Sequence, residues 1–589
     1  MLRILKYLKW KEWLLVFVSL IFICVQVWLD LKLPEYMISI TKLIVTPGNV
    51  VADIWDKGLW MILFAFGSLA SSIMVGLFAA IIASKLSKRL RSEVFGKVED
   101  FSMEEINKFS TASLITRSTN DVTQVQRTVA MGLQAMIKAP ILAVWAIIKI
   151  YNQSWQWTTA TGVAVLVLLI TITMVLTFVL PKFRKIQTLT DNLNKVTREN
   201  LTGLRVVRAY NAEKYQEEKF DTANVELKNN NLFANRFMAV IMPVMSLISN
   251  GLTLSIYWIG AYLINTAVGA PDKLVLFGNM MAFTAYAMQI IMAFTFVAMI
   301  FIMVPRAQVS AKRILEVLNT KTKIVDGQIT ENIDGVVGEI EFKNVSFKYP
   351  DAENDIIENI TFKAHKGQTI AIIGSTGCGK SSIVNLIPRF YDVSTGEVLI
   401  DGINVKDYTL EYLHNKIGYV SQKAVLFSGT VASNIKYGET NKEEITDDVM
   451  KKALDIAQGT EFVENMDQSY DSLISQGGTN ISGGQKQRLS IARAIARKPE
   501  IILFDDSFSA LDYRTDQLLR QQLSTQLKDT TKIIVAQRIG TIKEADTILV
   551  IEEGHIVGRG KHEELLKNCK VYQEIAYSQL SKEELTNAE

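Results

Sequence analysis

The stretch TIAIIGSTGCGKSSIVNLI, which runs from Thr369 to Ile387, decides the fold of the C-terminal half of this chain. It opens with β-branched and apolar residues typical of a buried strand, and it ends with the spacing of an amphipathic helix. Between them lies the pattern Gly-x-x-x-x-Gly-Lys-Ser at positions 374–381. Glycines let backbone N–H groups wrap around phosphate oxygens, and the amino end of the helix adds partial positive charge. The stretch therefore predicts an α/β domain that holds the phosphates of a nucleotide.

The polar residues of this loop each have a chemical reason to be there. Lys380 is suited to neutralise the outer phosphates, and Ser381 is suited to ligate magnesium. The other residues that we expect to hold the nucleotide, through backbone or hydroxyl groups, are Ser375, Thr376, Gly377, Cys378, Gly379 and Ser382. ATP and Mg²⁺ are therefore the predicted cofactors, and a chance match in a Gly-rich turn is the alternative.

A second apolar stretch, IILFD from Ile501 to Asp505, reads as another buried strand. Its terminal Asp505 is suited to bind the same magnesium ion. A core strand followed by a helix-capping acid is the alternative for this motif alone. The chain between the two strands is long enough to hold an inserted helical lobe.

The N-terminal half has a different character. Hydrophobic residues make up 49% of the 589 residues although 21% are charged, so we expect the apolar residues to be concentrated in one part. A bilayer core about 30 Å thick needs roughly 20 apolar residues in a helix. The segments that qualify or nearly qualify are Trp13–Leu29, Leu59–Ala83, Val129–Ile150, Trp157–Leu180, Phe237–Ile264 and Leu274–Val304.

These patterns predict a membrane α-helical fold of six transmembrane helices, followed by a C-terminal α/β P-loop nucleotide-binding domain with an inserted helical lobe. We expect a transmembrane domain over residues 1–320, a linker over 321–335 and the nucleotide-binding domain over 336–589. The net charge of +3 gives no argument for a nucleic-acid partner. The three cysteines lie far apart, so neither a disulfide framework nor a metal cluster is indicated.

The basic residues predict the orientation in the lipid bilayer. Residues 84–128 and 181–236 are rich in Lys and Arg, whereas the links 151–156 and 265–273 contain a single basic residue, Lys273. Basic loops favour the cytoplasmic side. We therefore expect a multi-pass protein of the plasma (inner) membrane whose termini and nucleotide-binding domain are cytoplasmic. Each long segment can form two helices reaching roughly 30 Å below the membrane, with a turn at the tip.

A second anion site is indicated by ISGGQKQRLSIARAIAR, from Ile481 to Arg497. Ser482, Gly483 and Gly484 place a hydroxyl and two open backbone N–H groups at the start of a basic helix. A helix cap would explain the serine, but neither the glycine pair nor Gln485. Because this site has no nucleotide to face in its own fold, we expect a head-to-tail dimer in which each chain closes over the other's ATP.

With these motifs, the whole chain resembles a half-transporter of the ATP-binding cassette (ABC) exporter superfamily. The resemblance implies that Tyr349 in VSFKYP stacks on adenine and that Gln422 in YVSQ links magnesium to the transmembrane arms. It also implies that SALD, from Ser509 to Asp512, crosses the dimer interface. Residues 111–126 and 199–220 resemble the intracellular helices by which such exporters touch their nucleotide domains. A solvated, charged helical arm is the alternative for both.

Two positions depart from the family pattern. The residue after the magnesium acid is usually Glu, which polarises the attacking water, whereas Asp506 carries its charge on a side chain one C–C bond, about 1.5 Å, shorter. The strand KIIVA is usually followed by His, whereas Gln537 can donate a hydrogen bond but cannot carry a proton. A misplaced general base costs on the order of 10² to 10⁴ in rate. Drift without consequence is the alternative.

The signature motif is intact apart from Ile481, where Leu is commoner in the family. We therefore predict a subunit of a heterodimeric, multidrug-type exporter that moves hydrophobic or amphiphilic compounds out of the cytoplasm. Its own pocket would hold ATP and hydrolyse it slowly, and full ATPase activity would require the partner half-transporter. The alternatives are a nucleotide-gated regulatory or sensor membrane protein and a homodimeric lipid or peptide exporter. The fused spans and long arms disfavour an importer.

We expect the substrate site between spans of the two chains. Nine of the 19 methionines fall within residues 237–304, and such adaptable side chains suit varied hydrophobic compounds, although packing against lipid is the alternative. Lys149 can snorkel to the outer headgroups, whereas Lys138 lies deeper. Lys138 is predicted to pair with an acid or line a water-filled cavity and to attract anionic or amphiphilic substrates. Asn250 and Gln289 are candidate hydrogen-bonding partners or helix-to-helix contacts.

Overall fold

The computed structural model describes residues 2–45, 51–151, 154–267, 269–332, 335, 337–438 and 444–579. The chain forms two compact units. The membrane unit consists of Met1–Glu99 and Ser110–Thr320, and the C-terminal unit consists of Asp100–Phe109 and Lys321–Glu589.

Within the described ranges the membrane unit is helical. The helices of the first part of the chain are α1 (Leu2–Leu5), α2 (Trp10–Val45), α3 (Val51–Glu99), α4 (Met103–Phe109), α5 (Thr111–Thr116), α6 (Val122–Tyr151), α7 (Trp155–Thr202), α8 (Leu204–Ala209), α9 (Glu213–Thr266) and α10 (Ala270–Asn319). Six of these are long and apolar enough to cross a membrane, and they contain the six predicted spans. The predicted number of spans is thus confirmed.

The first of these helices extends beyond its predicted span. That span ends at Leu29 because the next turns carry charged residues, yet α2 continues to Val45. The charges are paired in the structure: Asp30 Oδ2 lies 3.2 Å from Lys138 Nζ, and Glu35 Oε1 lies 2.5 Å from Lys149 Nζ. Lys149 therefore forms an ion pair with α2.

The short helix α4, which precedes residues 111–126, groups with the C-terminal part of the chain. Residues 111–126, expected to contact a nucleotide domain, lie in the membrane unit, whereas α4 belongs to the C-terminal unit. The polar side chains of α4 explain this placement. Asn107 Nδ2 donates to the Tyr391 hydroxyl over 3.0 Å, and the buried Glu105 accepts from the backbone N–H of Lys323 over 3.2 Å. The contact of residues 111–126 with a nucleotide domain stays a prediction.

The C-terminal unit is an α/β domain. Its strands are β1 (Ile340–Phe347), β2 (Ile357–Ala364), β3 (Thr369–Gly374), β4 (Thr395–Ile400), β5 (Ile403–Asn404), β6 (Ile417–Val420), β7 (Gly429–Thr430), β8 (Leu473–Ile474), β9 (Ile501–Asp505), β10 (Thr531–Val535), β11 (Thr547–Glu552) and β12 (His555–Gly560). Its further helices are α11 (Lys380–Leu386), α12 (Leu410–Lys416), α13 (Val431–Ile435), α14 (Asp447–Ile456), α15 (Thr460–Glu464), α16 (Gly483–Ala496), α17 (Tyr513–Gln526), α18 (Ile539–Ile542), α19 (His562–Asn568) and α20 (Lys570–Gln579).

The main sheet has six strands in the order β12-β11-β3-β10-β9-β6. Strand β10 pairs in parallel with both β3 and β9, so the carboxyl ends of all three strands lie at one edge, where ligands bind in open α/β sheets. A smaller antiparallel sheet has the order β2-β1-β4-β5. Helices α13 to α16 lie in the chain between β6 and β9 and form the predicted inserted lobe.

The main sheet is buried on both faces, which explains its continuous apolar strands. In β3, Ile370 and Ile372 join one apolar cluster, while Ala371 and Ile373 join the other. Side chains alternate between the faces of a strand, so each face needs its own apolar set. This burial fixes β3 rigidly at the start of the phosphate loop.

Candidate nucleotide site

The loop between β3 and α11 accepts only glycine at its two ends. Gly374 has a φ of +159°, and a Cβ there would lie 2.0 Å from the backbone oxygen of Ile551. Gly379 has a φ of +96°, and a Cβ there would lie 2.5 Å from Ile357 Cγ2. The two glycines therefore let the backbone at both ends of the loop approach whatever it encloses.

We expect Gly374→Ala to destabilise the C-terminal unit by on the order of 2 to 3 kcal/mol, because the added methyl group would push β3 away from β11. Gly377→Ala is the matched control. Its φ is also positive, +86°, but its Cβ would meet nothing within 4 Å, so we expect a cost of about 1 kcal/mol. Thermal unfolding of the two purified variants gives the comparison, and a Gly374 effect no larger than the Gly377 effect would contradict the close approach.

The ammonium group of Lys380 lies inside this loop. Its Nζ donates to the backbone oxygens of Gly374 over 2.9 Å and Ser375 over 2.6 Å, and the side chain is buried. Cys378 is buried as well, with its Sγ 3.7 Å from the same Nζ, so its thiol faces the domain interior rather than the loop opening. Thr376 and Gly377 are exposed at the tip.

Two oxygen ligands meet at the carboxyl edge of the sheet. Ser381 Oγ donates to Asp505 Oδ1 over 2.8 Å, so the hydroxyl after the phosphate loop and the acid ending β9 face each other. Burial raises the pKa of Asp505, and the neighbouring charge of Asp506 raises this pKa further. A cation would reverse this effect by stabilising the ionised carboxylate. Hydroxyl and carboxylate oxygens are ligands that Mg²⁺ prefers, so the residues present fit the predicted ion.

Asp506 is held by two carboxamides. Its Oδ2 accepts from Gln537 Nε2 over 2.8 Å and from Gln422 Nε2 over 3.1 Å. The residue is only 7% exposed and its φ is +47°, a conformation uncommon outside glycine. Burial raises the pKa of Asp506, and the hydrogen bond from Gln422 is the largest opposing effect. The two departures from the family pattern therefore touch one another.

The predicted adenine-stacking residue lies beside the phosphate helix. The Tyr349 hydroxyl is 3.1 Å from Ser382 Oγ in the first turn of α11. Its ring is half-buried and packs edge-on against Phe347 and Tyr391, with centroid separations of 4.9 and 5.2 Å. The structure thus brings together residues from the loop, from β9 and from the ends of β6 and β10.

The signature residues form a separate, exposed surface at the amino end of α16. Ser482 Oγ accepts from the backbone N–H of Gln485 over 3.3 Å, and Gln485 Oε1 accepts from the backbone N–H of Ser482 over 2.9 Å. This reciprocal capping box explains Gln485, contrary to the expectation that a helix cap would not. Gly483 remains unexplained by the cap: a Cβ there would meet nothing within 4 Å.

The membrane unit contains a cavity of about 230 Å³ that Lys138 lines, as predicted. The sequence did not identify Asp30, which pairs with Lys138 and accepts a hydrogen bond from Ser68. Gln289 Nε2 donates to the backbone oxygen of Asp30 over 3.3 Å, which makes it a contact between α10 and α2. The signal for Asp30 was an acid just beyond the first predicted span, facing a span that carries an isolated lysine.

Six apolar helices joined to a phosphate-loop α/β domain define a nucleotide-binding membrane protein. The sequence profile of the ABC transporter transmembrane region matches residues 16–294, and that of the ABC transporter ATP-binding region matches residues 357–509. The chain therefore belongs to the ABC transporter family. It is an ATPase coupled to transport, and its C-terminal unit contains an ATP-binding domain.

Curated relatives and solved structures agree with this assignment. The chain is 40% identical, over 83% of each sequence, to an uncharacterized ABC transporter ATP-binding protein of Mycobacterium tuberculosis. It is 36% identical, over 90% of each sequence, to an uncharacterized one of Bacillus subtilis, and 29% identical, over 92% of each, to the ATP-dependent lipid A-core flippase of Aliivibrio fischeri. A bacterial Atm1-family ABC exporter with ATP bound shares the fold, with a TM-score of 0.79, 22% identity and coverage of 96% of this chain and 98% of that chain.

Proposed function

We propose that this chain is the slowly hydrolysing half of a heterodimeric exporter for hydrophobic or amphiphilic compounds in the plasma (inner) membrane. The observation that carries the proposal is the pair of carboxamides on Asp506 Oδ2, at 2.8 and 3.1 Å. Both hydrogen bonds occupy the same carboxylate oxygen, so Oδ2 is engaged by protein donors rather than free to accept a proton from water. A short acid that is already hydrogen-bonded is poorly suited to deprotonate water.

The groups that we propose to bind ATP are all present in this pocket. Lys380 provides a buried ammonium to neutralise phosphate charge, the glycine loop provides backbone N–H groups, and Tyr349 provides an aromatic ring for the base. Ser381 and Asp505, together with Gln422, would hold Mg²⁺, which neutralises phosphate charge when it is bound. The pocket thus combines intact groups for ATP binding with weakened groups for hydrolysis.

The signature surface supports a dimer of unlike chains. Ser482, Gly483 and Gly484 lie exposed or half-exposed at the amino end of α16, which is 14 residues long. Backbone N–H groups at such an end favour an anion. We propose that this surface faces ATP on the partner, whose own Glu and His would hydrolyse it. Binding of ATP between the chains would then switch the spans from an inward-facing to an outward-facing cavity.

Unbiased co-purification tests the heterodimer. We expect a second ABC half-transporter to accompany this chain when it is purified from its native membrane, and the pair to hydrolyse ATP much faster than either chain alone. Vigorous hydrolysis by a homodimer of this chain would contradict the proposal and would favour a homodimeric exporter, which the similarity to a lipid A-core flippase also permits. Slow hydrolysis without transport in the pair would favour a regulatory role.

We expect Lys380→Ala to abolish ATP retention by this chain's pocket while leaving the pair with part of its transport. The variant removes an ammonium that donates to Gly374 and Ser375 within the loop. Retention is measured by labelled nucleotide that remains bound after gel filtration, and transport by uptake into inverted vesicles. Lys416→Ala would be a poor control because Lys416 is buried with two acids, so exposed Lys348→Ala is the matched charge control.

Complete loss of transport in Lys380→Ala, with the assembly intact, would contradict the unequal roles. It would show that the pair cannot transport unless this pocket also holds ATP.

A further inference from the structure

Among the described residues that line the cavity in the membrane unit, Lys138 is the charged one. It is lined by spans α2, α3, α6 and α10, and most of the lining is apolar, with Met131, Met303 and Phe296 among the larger side chains. The polar exceptions include Lys138 and the carboxamides of Gln26 and Gln134. Among the described residues that line the cavity, there is no carboxylate. A ligand in this space therefore meets a cation, hydrogen-bonding amides and flexible apolar walls.

The acid that pairs with Lys138 is Asp30, which does not line the cavity. Asp30 Oδ2 lies 3.2 Å from Lys138 Nζ, and Asp30 Oδ1 accepts from the Ser68 hydroxyl. Asp30 is not among the residues that line the cavity, and its side chain is 23% exposed. An ammonium group has three N–H donors, and only one is needed for Asp30. The Lys138 side chain lines the cavity and is 27% exposed, so it has donors that Asp30 does not occupy.

This arrangement discriminates between headgroups. A carboxylate or phosphate can accept hydrogen bonds from Lys138 and the two amides, whereas an ammonium headgroup would meet a like charge without a facing acid. Charge-assisted hydrogen bonds are the stronger class. The volume of about 230 Å³ lies just below the 300 to 1,000 Å³ typical of ligand pockets, so the cavity accommodates a headgroup and a short apolar chain.

We infer that this cavity is a subsite for amphiphiles with an anionic headgroup and that Lys138 determines this specificity. The inference rests on the proposed transport role, because it names the class of compound that the spans would bind. It does not depend on which chain hydrolyses ATP. Asp30 is a positioning residue, since it orients the ammonium without lining the cavity.

The test measures binding of octanoate, octyl phosphate and octylammonium to the nucleotide-free assembly in nanodiscs, with whichever second chain co-purifies. We expect at least one of the two anions to bind about tenfold more tightly than octylammonium. Octanoate and octyl phosphate distinguish a carboxylate compound from a phosphate headgroup, and binding of either supports the inference. Preference for octylammonium would overturn it.

Variants test whether Lys138 causes the preference for anionic headgroups. Lys138→Met should remove the tenfold difference, and Lys149→Met is the matched control because Lys149 forms its ion pair with the same helix but does not line the cavity. Asp30→Asn combined with Lys138→Met removes both charges, so that no buried acid is left unpaired if the single variant fails to fold. Exchanging the two residues, Asp30→Lys with Lys138→Asp, should reverse the preference.

An unchanged preference in the folded double variant would overturn the assignment to Lys138. Because these measurements use no nucleotide, an active homodimer could refute the heterodimer proposal and still leave this inference standing. Conversely, a confirmed heterodimer whose preference is unchanged without Lys138 would refute only the subsite.

Discussion

Gly483→Asp should reduce ATP hydrolysis by the heterodimer by a factor on the order of 10² to 10³, while leaving this chain folded. The added carboxylate would stand where backbone N–H groups are proposed to face the partner's ATP, and the loss of one such donor costs about this much in rate. The variant should fold, because a Cβ at Gly483 meets nothing within 4 Å. An acid in the first turn of a helix is moreover stabilising. Steady-state ATP turnover of the purified pair measures the effect.

Two controls separate charge from size and from location. Gly483→Ala adds only the methyl group and should lose much less activity than Gly483→Asp. Asp506→Asn alters this chain's own pocket, which we propose to be slow already, and should reduce turnover far less. Equal losses from Gly483→Asp and Asp506→Asn would contradict the proposed asymmetry between the two pockets.

The second large expected effect is an increase in ATP hydrolysis. We expect Asp506→Glu together with Gln537→His to raise hydrolysis in this chain's pocket by on the order of 10² or more, within the range of general-base catalysis. The longer acid moves the carboxylate forward by about 1.5 Å, the length of one C–C bond. The second change removes the carboxamide that now donates to Asp506 over 2.8 Å. Hydrolysis is measured in a heterodimer whose partner chain carries an inactivating substitution of its own phosphate-loop lysine, so that only this chain's pocket contributes.

Asp506→Glu alone should restore little, because Gln537 and Gln422 would still donate to the new carboxylate. The other single variant, Gln537→His, should also change the rate of hydrolysis little, because the side chain of Asp506 stays short. Because residues 506 and 537 are in contact, the gain in hydrolysis from the double variant should exceed the sum of the gains from the two single variants. Full turnover from Asp506→Glu alone would show that side-chain length, rather than the contact, limits this pocket.

Local patterns were sufficient for much of the architecture. The strand, glycine loop and helix around Lys380 were predicted from consecutive residues, because the loop conformation depends on glycines within the loop. The number of spans followed from apolar length alone. The start of α16 at Ser482 followed from a capping residue and its neighbours, since helix caps are closed within one turn.

Contacts between distant parts of the chain were decided only by the tertiary structure. Gln422 and Asp506 are 84 residues apart in the sequence, and Gln537 and Asp506 are 31 apart, yet all three meet where parallel strands end. Asp30 was found only because α2 and α6 pack side by side and place it against Lys138. Sequence patterns show which residue types are present, but hydrogen bonds and ion pairs act over a few ångströms. The electrostatic state of these groups therefore depends on which segments the fold brings into contact.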